Sequence, residues 1–346
     1  MLKKSMSITV PQKILVRVPN WLGDAVLAFP AVEALRGRFP TSQILLMTRP
    51  YLSELWLVQP AVDRVVAIRD GSKRAEVETA LSLRREGVDL YLTFPRSFLS
   101  ALTGLLAGAK LRVGYSSEGR GWLLTHRLRR DAETLKLHRV QYYLKLVEVF
   151  GEVSEVGPPK VTVTAEMREK GDEILRKGGL SASPKVGFNP GALYGEAKCW
   201  PQERFIELGR RLVEDGYKVL LFGTLGEQGR NAEIARGIGE GCLDLTGRTS
   251  LMELAVLLER CCCLVTNDTG TMHLSAAVGT PVVALFGSTD PALTSPVGDG
   301  HVIIRHRISC SPCFERVCPE GHHRCMRSIE VEEVLEAVKR VGGNGR

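Results

Sequence analysis

The chain lacks two features that mark membrane and secreted proteins. No run of apolar residues approaches the roughly 18 residues of a membrane-spanning helix. The first residues, MLKKSMSITVPQK, lack the apolar core of a signal peptide. We therefore expect a cytoplasmic protein.

The sequence also lacks the familiar glycine motifs for binding phosphates. No G-x-G-x-x-G motif follows the first predicted strand of either half, and there is no Walker A loop. These absences argue against a nicotinamide or flavin dehydrogenase. They favour a nucleotide held by helix N-termini, in a cleft between two domains at the carboxyl ends of their strands.

Length and composition indicate a folded protein with two domains. The chain has 346 residues, of which 44% are hydrophobic and 25% charged. Domains usually contain about 150 residues, so each of two domains can bury its own core. The formal net charge of +7 suits an anionic partner, which charge alone leaves open among nucleic acid, anionic lipid and a phosphorylated substrate.

Short apolar segments alternate with helical patterns along the chain, which predicts an α/β fold with doubly wound parallel sheets. A segment containing glycine and paired proline, Gly151 to Lys160, is predicted to link two Rossmann-like domains, residues 1–158 and 159–346. Both domains open with a basic residue, an apolar strand and a loop containing Asn and Pro, which suggests a structural repeat. The predicted strands of the first domain are Lys13 to Val18, Gln43 to Thr48, Val62 to Ile68, Asp89 to Thr93 and Leu111 to Gly114.

Two segments of the first domain have features of a binding site. Asp24 follows Gly23 in the loop after the first strand, where a helix N-cap is expected. The segment Gly114 to Arg130 is rich in glycine and arginine, including Arg120, and is predicted to be a mobile loop facing an anion or simply a solvated loop.

The stretch Cys261 to Pro291 reads as strand, polar loop, helix and strand. Small residues open the helix after Asp268, so the free N–H groups of Thr269, Gly270 and Thr271 and the helix dipole favour an anion such as a diphosphate. The alternative is an ordinary capped crossover helix. We interpret His273, one turn further on, as a core or capping residue.

Two other loops of the second domain contain candidate ligands for a nucleotide. Lys198 offers a cation in the loop Gly191 to Pro201, although a solvated lysine is the common alternative. Glu227 follows the strand Lys218 to Phe222, at a position where a carboxylate can accept hydrogen bonds from ribose hydroxyls.

Seven of the nine cysteines form two groups of different character. Cys261, Cys262 and Cys263 lie within an apolar strand, as buried cysteines of a reducing compartment do. The other group has C-x2-C-x4-C-x6-C spacing, which is compatible with a structural zinc or iron-sulfur site, with reduced thiols or with a cross-link. It consists of Cys310, Cys313, Cys318 and Cys325.

Four motifs, in this order, carry a resemblance to a known family: NWLGDAVLAFPAVEALR, NPGALYGEAKCWP, LTGRTSLMELA and TNDTGTMHLSAAVGTPVVALFG. Together they resemble the ADP-heptose:lipopolysaccharide heptosyltransferases of glycosyltransferase family 9, with the type II enzymes nearest. The resemblance implies a GT-B fold and an inverting transfer of heptose from ADP-heptose that requires no metal or other cofactor. It also implies that the acceptor is the first inner-core heptose of Kdo-lipid A, at the anionic inner membrane surface of a Gram-negative bacterium.

The same resemblance implies roles for individual residues. Asp24 would be the general base, and Lys198 would counter the donor diphosphate. Asp268, with the amides of Thr269, Gly270 and Thr271, would hold the donor; Glu227 would contact the ribose and Thr249 would lie near the adenine. The basic loops would meet the acceptor, with Arg120 as the candidate contact. The last predicted helix, Ile329 to Val341, would pack back across both domains.

Two other functions remain to be distinguished from this one. The first is a different GT-B sugar-nucleotide transferase or epimerase. The second is a basic, cysteine-rich nucleic-acid-binding protein, which the pI near 9.0 favours. The chain has no recognised nucleic-acid module and its positive charge is dispersed, so we expect no nucleic-acid partner.

Overall fold

A computed structural model describes residues 9–153, 155–180 and 183–343. These residues form two compact units that divide between Pro159 and Lys160. The described residues do not include residues 1–8, which were part of the evidence for the absence of a signal peptide. They also do not include Ser154 of the predicted linker. No helix in the described part of the chain is long and apolar enough to cross a bilayer.

The first unit is built on a six-stranded parallel sheet with the order β3-β2-β1-β4-β5-β6. Its central strands are nearly continuous apolar runs, as expected for strands that helices cover on both faces, whereas the two edge strands are more exposed. The strands are β1 (Lys13–Arg17), β2 (Gln43–Thr48), β3 (Arg64–Ala67), β4 (Leu90–Thr93), β5 (Leu111–Tyr115) and β6 (His126–Leu128). The helices are α1 (Leu22–Leu27), α2 (Phe29–Arg38), α3 (Ser53–Leu57), α4 (Lys73–Leu83), α5 (Phe98–Leu106), α6 (Ala132–Lys136) and α7 (Arg139–Val147).

The second unit repeats this topology with the order β12-β11-β10-β7-β8-β9. Its strands are β7 (Lys185–Asn189), β8 (Lys218–Leu221), β9 (Cys242–Asp244), β10 (Cys263–Asn267), β11 (Val282–Phe286) and β12 (Val302–Arg305). Its helices are α8 (Ala165–Lys177), α9 (Gln202–Glu214), α10 (Gln228–Ile238), α11 (Leu251–Glu259), α12 (Gly270–Ala277), α13 (Pro291–Thr294), α14 (Arg324–Arg327) and α15 (Val331–Gly343).

The shared strand order confirms the prediction of an α/β protein with two similar Rossmann-like halves. In each sheet the first and fourth strands of the unit are neighbours, which are β1 with β4 and β7 with β10. The connections therefore diverge to opposite sides between these strands. In open α/β sheets this switch point, at the carboxyl ends of the strands, is where ligands bind.

The C-terminal helix belongs to the core of the second unit. One face of α15 is buried against α9 and the sheet, through Val334, Leu335 and Val338. Trp200, in the loop before α9, donates its indole N–H to the carbonyl of Ile329 at 3.0 Å. This bond ties the end of the loop before α9 to the residues that precede α15.

The segment Gly114 to Arg130 is more ordered than predicted. It contains the end of β5, a short 3-10 turn at Arg120–Leu123 and the edge strand β6. The expectation of a loop throughout was wrong, because residues 126–128 pair with β5.

Candidate functional site

Asp24 lies in the first turn of α1, just after the carboxyl end of β1. The helix begins at Leu22 and its N-cap is Trp21, which makes no side-chain capping bond. The interpretation of Asp24 as an N-cap was therefore wrong, because the helix starts before it. A carboxylate in a first turn is favoured by the helix dipole.

A buried ion pair shapes the loop between β1 and Asp24. Arg17, at the end of β1, donates to Glu76 through Nε at 2.9 Å and Nη2 at 3.1 Å. The same guanidinium donates to Oδ1 of Asn20 at 2.7 Å. Both members of the ion pair are at least nine-tenths buried. The loop is thus tied to the core just ahead of Asp24.

Tyr143 on α7 contacts Asp24 directly. Its hydroxyl donates to Oδ1 of Asp24 at 2.8 Å. Burial, and next the negative charge of Asp24, raise the pKa of Tyr143 well above its usual value. The phenol therefore stays protonated and remains a hydrogen-bond donor to Oδ1. The other carboxylate oxygen of Asp24, Oδ2, accepts no hydrogen bond from the described residues.

In the second unit, Lys198 and Asp268 form a largely buried ion pair. The ammonium of Lys198 lies 2.6 Å from Oδ2 of Asp268, and the two side chains are 12% and 6% exposed. Thr289 donates its hydroxyl to the same carboxylate oxygen at 2.8 Å. The ammonium also lies 4.9 Å from the centre of the Tyr194 ring. Lys198 is therefore held in a defined position and is not a solvated loop lysine.

Two asparagines at strand ends join the Lys198 loop to the start of α12. Asn267, at the end of β10, accepts from the backbone N–H of Trp200 at 3.0 Å and donates to the carbonyl of Pro190 at 2.7 Å. Asn189, at the end of β7, accepts from the hydroxyl of Thr271 at 3.1 Å. These bonds place the loop and the helix start side by side at the switch point.

The N-terminus of α12 is open to a ligand. Thr269 is the N-cap in an extended conformation, and its side chain makes no capping bond. Gly270 and Thr271 form the first turn, whose N–H groups have no intrahelical acceptor. Asp268 directly precedes the N-cap Thr269, and the ammonium of Lys198 also donates to the carbonyl of Asp268 at 3.2 Å. The ammonium and the positive end of the helix dipole therefore lie close together.

Glu227 packs against the loop that carries Lys198. Its Oε2 accepts from the backbone N–H and the hydroxyl of Thr224, at 2.7 and 2.8 Å. Its Oε1 occupies the space where a side chain at Gly191 would begin, because a Cβ built there would lie 1.5 Å away. Only glycine at position 191 allows this approach.

The loop containing Thr249 reaches the same edge of the sheet. The N–H of Gly247 donates to the carbonyl of Gly223 at 2.9 Å, which joins the loops after β8 and β9. Thr249 is half-buried and directly precedes Ser250, the N-cap of α11, which forms a capping box with Glu253. The loops after β7, β8, β9 and β10 thus form one continuous rim.

Arg120 does not present its guanidinium to solvent. The side chain is 0% exposed, and burial lowers its pKa. It donates to the carbonyls of Pro95, Ser97 and Tyr115 and to the hydroxyl of Ser100, at 2.7 to 3.0 Å. The side chain therefore supports the fold and does not offer a charge to an acceptor.

The cysteine-rich segment, residues 310–325, is folded with reduced thiols. All four cysteines are free, and Cys325 is buried. Burial, followed by the nearby sulfurs of Cys313, Cys318 and Cys310, raises the pKa of Cys325. Within the described ranges, however, no three His, Cys, Asp or Glu side chains are arranged to hold a metal ion. The residues as placed do not fit the zinc or iron-sulfur interpretation.

This segment contacts the Lys198 loop. The carbonyl of Arg316 accepts from the N–H of Ala197 at 3.0 Å, and the carbonyl of Phe314 accepts from the hydroxyl of Tyr194 at 2.7 Å. Gly195 packs so closely on Arg316 that a Cβ there would lie 2.3 Å from its carbonyl oxygen. The cysteine-rich segment therefore supports the loop that positions Lys198.

Several residues of the site were not predicted from the sequence. Tyr143 lies 119 residues from Asp24, and no local pattern connects the two. The asparagines Asn189 and Asn267 stand at the ends of apolar strands, which was a usable signal. No sequence pattern indicated that Thr289 would belong to the site.

The sequence is similar to those of known proteins over most of its length. A family model described as glycosyltransferase family 9 (heptosyltransferase) matches residues 78–324. Over 338 residues the chain is 30% identical to lipopolysaccharide heptosyltransferase 2 of Escherichia coli strain K12, an alignment that covers 94% of this chain and 97% of that protein.

Solved structures show the same likeness. The structure of E. coli ADP-heptose lps heptosyltransferase II matches with a TM-score of 0.84 at 30% identity, covering 96% of this chain and 99% of that one. A glycosyltransferase family 9 protein from Veillonella parvula DSM 2008 shares the fold, with a TM-score of 0.88 at 24% identity over 99% and 100% of the two chains. The predicted GT-B fold is confirmed, and the chain belongs to glycosyltransferase family 9, the heptosyltransferases.

Proposed function

We propose that the protein transfers L-glycero-D-manno-heptose from ADP-heptose to the first inner-core heptose of Kdo-lipid A, with inversion at the anomeric carbon. The observation that carries this proposal is the pairing of Lys198 with Asp268 beside the open N-terminus of α12. It is supported by the names of the relatives, which are heptosyltransferases of type 2 over nearly the full chain.

The proposed donor site neutralises the charge of the leaving group. As the sugar bond breaks, negative charge grows on the ADP, where a preorganised cation and free N–H groups stabilise it. Lys198 and the N–H groups of Gly270 and Thr271 take this role. Asp268 is itself an anion and would repel a diphosphate, so it acts by holding Lys198 in place.

The rest of the nucleotide lies along the same rim in this proposal. Glu227 uses Oε2 within its own turn, which leaves Oε1 to accept a hydrogen bond from a ribose hydroxyl. The loop that ends at Thr249 borders the adenine. Both assignments are supported by the contacts that join these loops to the Lys198 loop.

Asp24 is the proposed general base. Inverting transfer needs a carboxylate that takes the proton of the attacking hydroxyl as the anomeric carbon is approached from the face opposite the departing ADP. Tyr143 occupies Oδ1 and fixes the carboxylate, and Oδ2 is available to the acceptor. Arg120 is not included in the proposed acceptor site, because its donors are already used within the fold.

A divalent cation is not part of the proposed reaction. Lys198 and the N-terminus of α12 already supply positive charge where the diphosphate would lie. Heptose transfer should therefore proceed at the same rate with and without EDTA. Dependence on added Mg²⁺ or Mn²⁺ would contradict this part of the proposal.

The proposed setting is the cytoplasmic face of the inner membrane of a Gram-negative bacterium. The acceptor is a lipid, and the net charge of +7 favours an anionic surface. No nucleic-acid partner is proposed.

The decisive experiment measures ADP release from ADP-heptose with and without a mono-heptosylated Kdo-lipid A acceptor. We expect acceptor-dependent release and a product heavier by one heptose. Equal turnover of another sugar nucleotide would favour a different GT-B transferase. Conversion of the donor without acceptor would favour an epimerase or hydrolase.

A further inference from the structure

An apolar face on the first unit is not explained by the transfer chemistry. It consists of Phe98, Leu102 and Leu105 on α5, with Trp122 beside them. Trp122 is 70% exposed, and Phe98 and Leu105 are each 41% exposed. Large exposed apolar groups that lie together indicate an interaction surface.

The face is continuous. Phe98, Leu102 and Leu105 are spaced by four and three residues, which places them on one side of the helix. The rings of Phe98 and Trp122 are 6.1 Å apart, centre to centre. Beneath them, Ala101, Leu123 and Leu124 form a small buried cluster against which Leu102 packs.

The helix itself has the composition of a lipid-contacting segment. Its sequence, FLSALTGLL, contains no charged residue. A helix of a soluble protein normally carries charges on its solvent side, whereas here leucine and phenylalanine occupy part of that side.

Trp122 is held outward by a rigid support. It lies in the 3-10 turn Arg120–Leu123, whose buried Arg120 donates to carbonyls of the loop before α5 and of Tyr115. Burying a guanidinium is costly, and here hydrogen bonds to neutral acceptors satisfy it. The exposure of Trp122 is thus a property of an ordered turn.

The part of the chain that carries the face is rich in positive charge. Residues 96–130 include seven Lys or Arg, of which Arg120 is buried and Lys110 is paired with Asp89, and a single acidic residue, Glu118. Arg96, Arg127 and Arg129 are exposed, and none of them forms a salt bridge with a described residue. The guanidinium of Arg127 lies next to Gly121, which adjoins Trp122. Tryptophan and apolar groups with arginines at their edge are typical of surfaces that enter the headgroup region of an anionic membrane.

We propose that this face, formed by Phe98, Leu102, Leu105 and Trp122, docks on the surface of an anionic phospholipid bilayer. The aromatic rings enter the headgroup region, and Arg96, Arg127 and Arg129 contact lipid phosphates. This inference deepens the proposed function, on which it rests for the lipid nature of the acceptor.

The test is sedimentation with vesicles of phosphatidylcholine, with and without phosphatidylglycerol. The parent should bind the anionic vesicles, and high salt should weaken the binding. Phe98→Ser with Trp122→Ser should lower the partition coefficient about ten-fold or more. Arg127→Gln should lower it about five-fold. The matched controls, Leu57→Ser on α3 and Arg307→Gln in the second unit, change exposed side chains outside the face and should bind as the parent does.

A second measurement locates the contact. Trp122→Phe should keep most of the binding but lose the part of the tryptophan fluorescence that brominated lipids quench. Unchanged quenching would mean that Trp122 does not enter the bilayer, and would overturn the proposal.

Other results would also overturn it. The proposal is overturned if the parent does not bind anionic vesicles or if the double variant binds them as well as the parent does. It is also overturned if the Leu57→Ser control loses as much vesicle binding as the double variant. If the double variant disperses a dimer without changing vesicle binding, the face is an interface between copies of the chain. Vesicle binding requires no turnover, so it is measured even if heptose transfer fails. Conversely, the double variant should transfer normally to an acceptor stripped of its acyl chains.

Discussion

Tyr143 donates its hydroxyl hydrogen to Asp24 at 2.8 Å, across 119 residues of chain. One carboxylate oxygen is therefore fixed, and the orientation of the other is determined. A side chain held in this way is suited to take a proton in one direction.

The first prediction concerns Asp24→Asn. The amide keeps the shape and can still accept the hydrogen bond from Tyr143, but it cannot take a proton. We expect normal folding, parental affinity for ADP and a turnover lower by about 10²- to 10⁴-fold. Steady-state kinetics and calorimetric titration with ADP measure the two quantities. Glu54→Gln, which removes another first-turn carboxylate of the same unit, is the control and should be fully active. Near-parental turnover of Asp24→Asn would remove Asp24 from the chemistry.

The second prediction concerns Lys198→Ala. A hydrogen bond to a charged group contributes about 1.5 to 3 kcal/mol, so the dissociation constant for ADP should rise about 10- to 150-fold. The variant should also melt at a lower temperature, because the carboxylate of Asp268 is left buried without its partner.

The control for Lys198 is Lys177→Ala. Lys177 is an exposed lysine of the same unit, paired with Glu173 on α8. The substitution Lys177→Ala should change neither the affinity for ADP nor the melting temperature. Equal ADP affinity in Lys198→Ala and the parent would exclude Lys198 from the donor site.

The third prediction tests the contact between Gly191 and Glu227. In Gly191→Ala the new methyl group would overlap Oε1 of Glu227, so the carboxylate must move. We expect a stability loss of about 1 to 3 kcal/mol and weaker ADP binding. Gly226→Ala is a close control, because a Cβ there meets nothing within 4 Å. The assignment of Glu227 to the ribose is contradicted if Gly191→Ala binds ADP as tightly as Gly226→Ala does.

The fourth prediction concerns pH and His301. Its Nδ1 accepts from the N–H of Val282 at 3.2 Å, so this nitrogen is unprotonated in the fold. Burial lowers the pKa of His301 below its usual 6.5. The unfolded chain therefore binds more protons, and the contribution of His301 to stability is present above pH 6.5 and is lost as the pH falls towards the folded value.

Melting temperatures at pH 7.5 and 5.5 test this sign. His301→Asn keeps a hydrogen-bond acceptor that does not titrate over this interval, so the difference between the two temperatures should shrink. The control variant His126→Asn replaces an exposed histidine, and its difference between the two melting temperatures should equal that of the parent. If the melting temperature falls by the same amount between pH 7.5 and 5.5 in His301→Asn and the parent, His301 does not contribute to the pH dependence of stability.

Local patterns predicted the elements whose formation is decided locally. The helices Ala165–Lys177 and Gln202–Glu214 are elements of this kind, because each has an apolar stripe facing a core and a clear start. The strand Gln43–Thr48 was equally clear, since it is an uninterrupted apolar run. The capping box of Ser250 and Glu253 needs only four consecutive residues.

Features that depend on distant partners were missed. Arg120 reads as a solvent-exposed charge in a glycine-rich segment, and only the folded chain brings the carbonyls of Pro95 and Ser97 to it. Asp24 was placed one turn too early relative to its helix, because Trp21 is an unusual N-cap residue. The contact from Tyr143 depends on how α7 packs against α1, which no local spacing encodes.

The dependence of the Lys198 loop on the cysteine-rich segment has a consequence for synthesis. Tyr194 and Phe314, which bind each other, are 120 residues apart. At ribosomal rates of about 5 to 20 residues per second, roughly 6 to 24 s separate their appearance. Throughout that interval the nascent chain carries the lysine loop without its support. The proposed donor site is therefore completed late in translation. A chain that stops before Arg316 should contain all six strands of the second sheet but lack both the support of the Lys198 loop and the core helix α15.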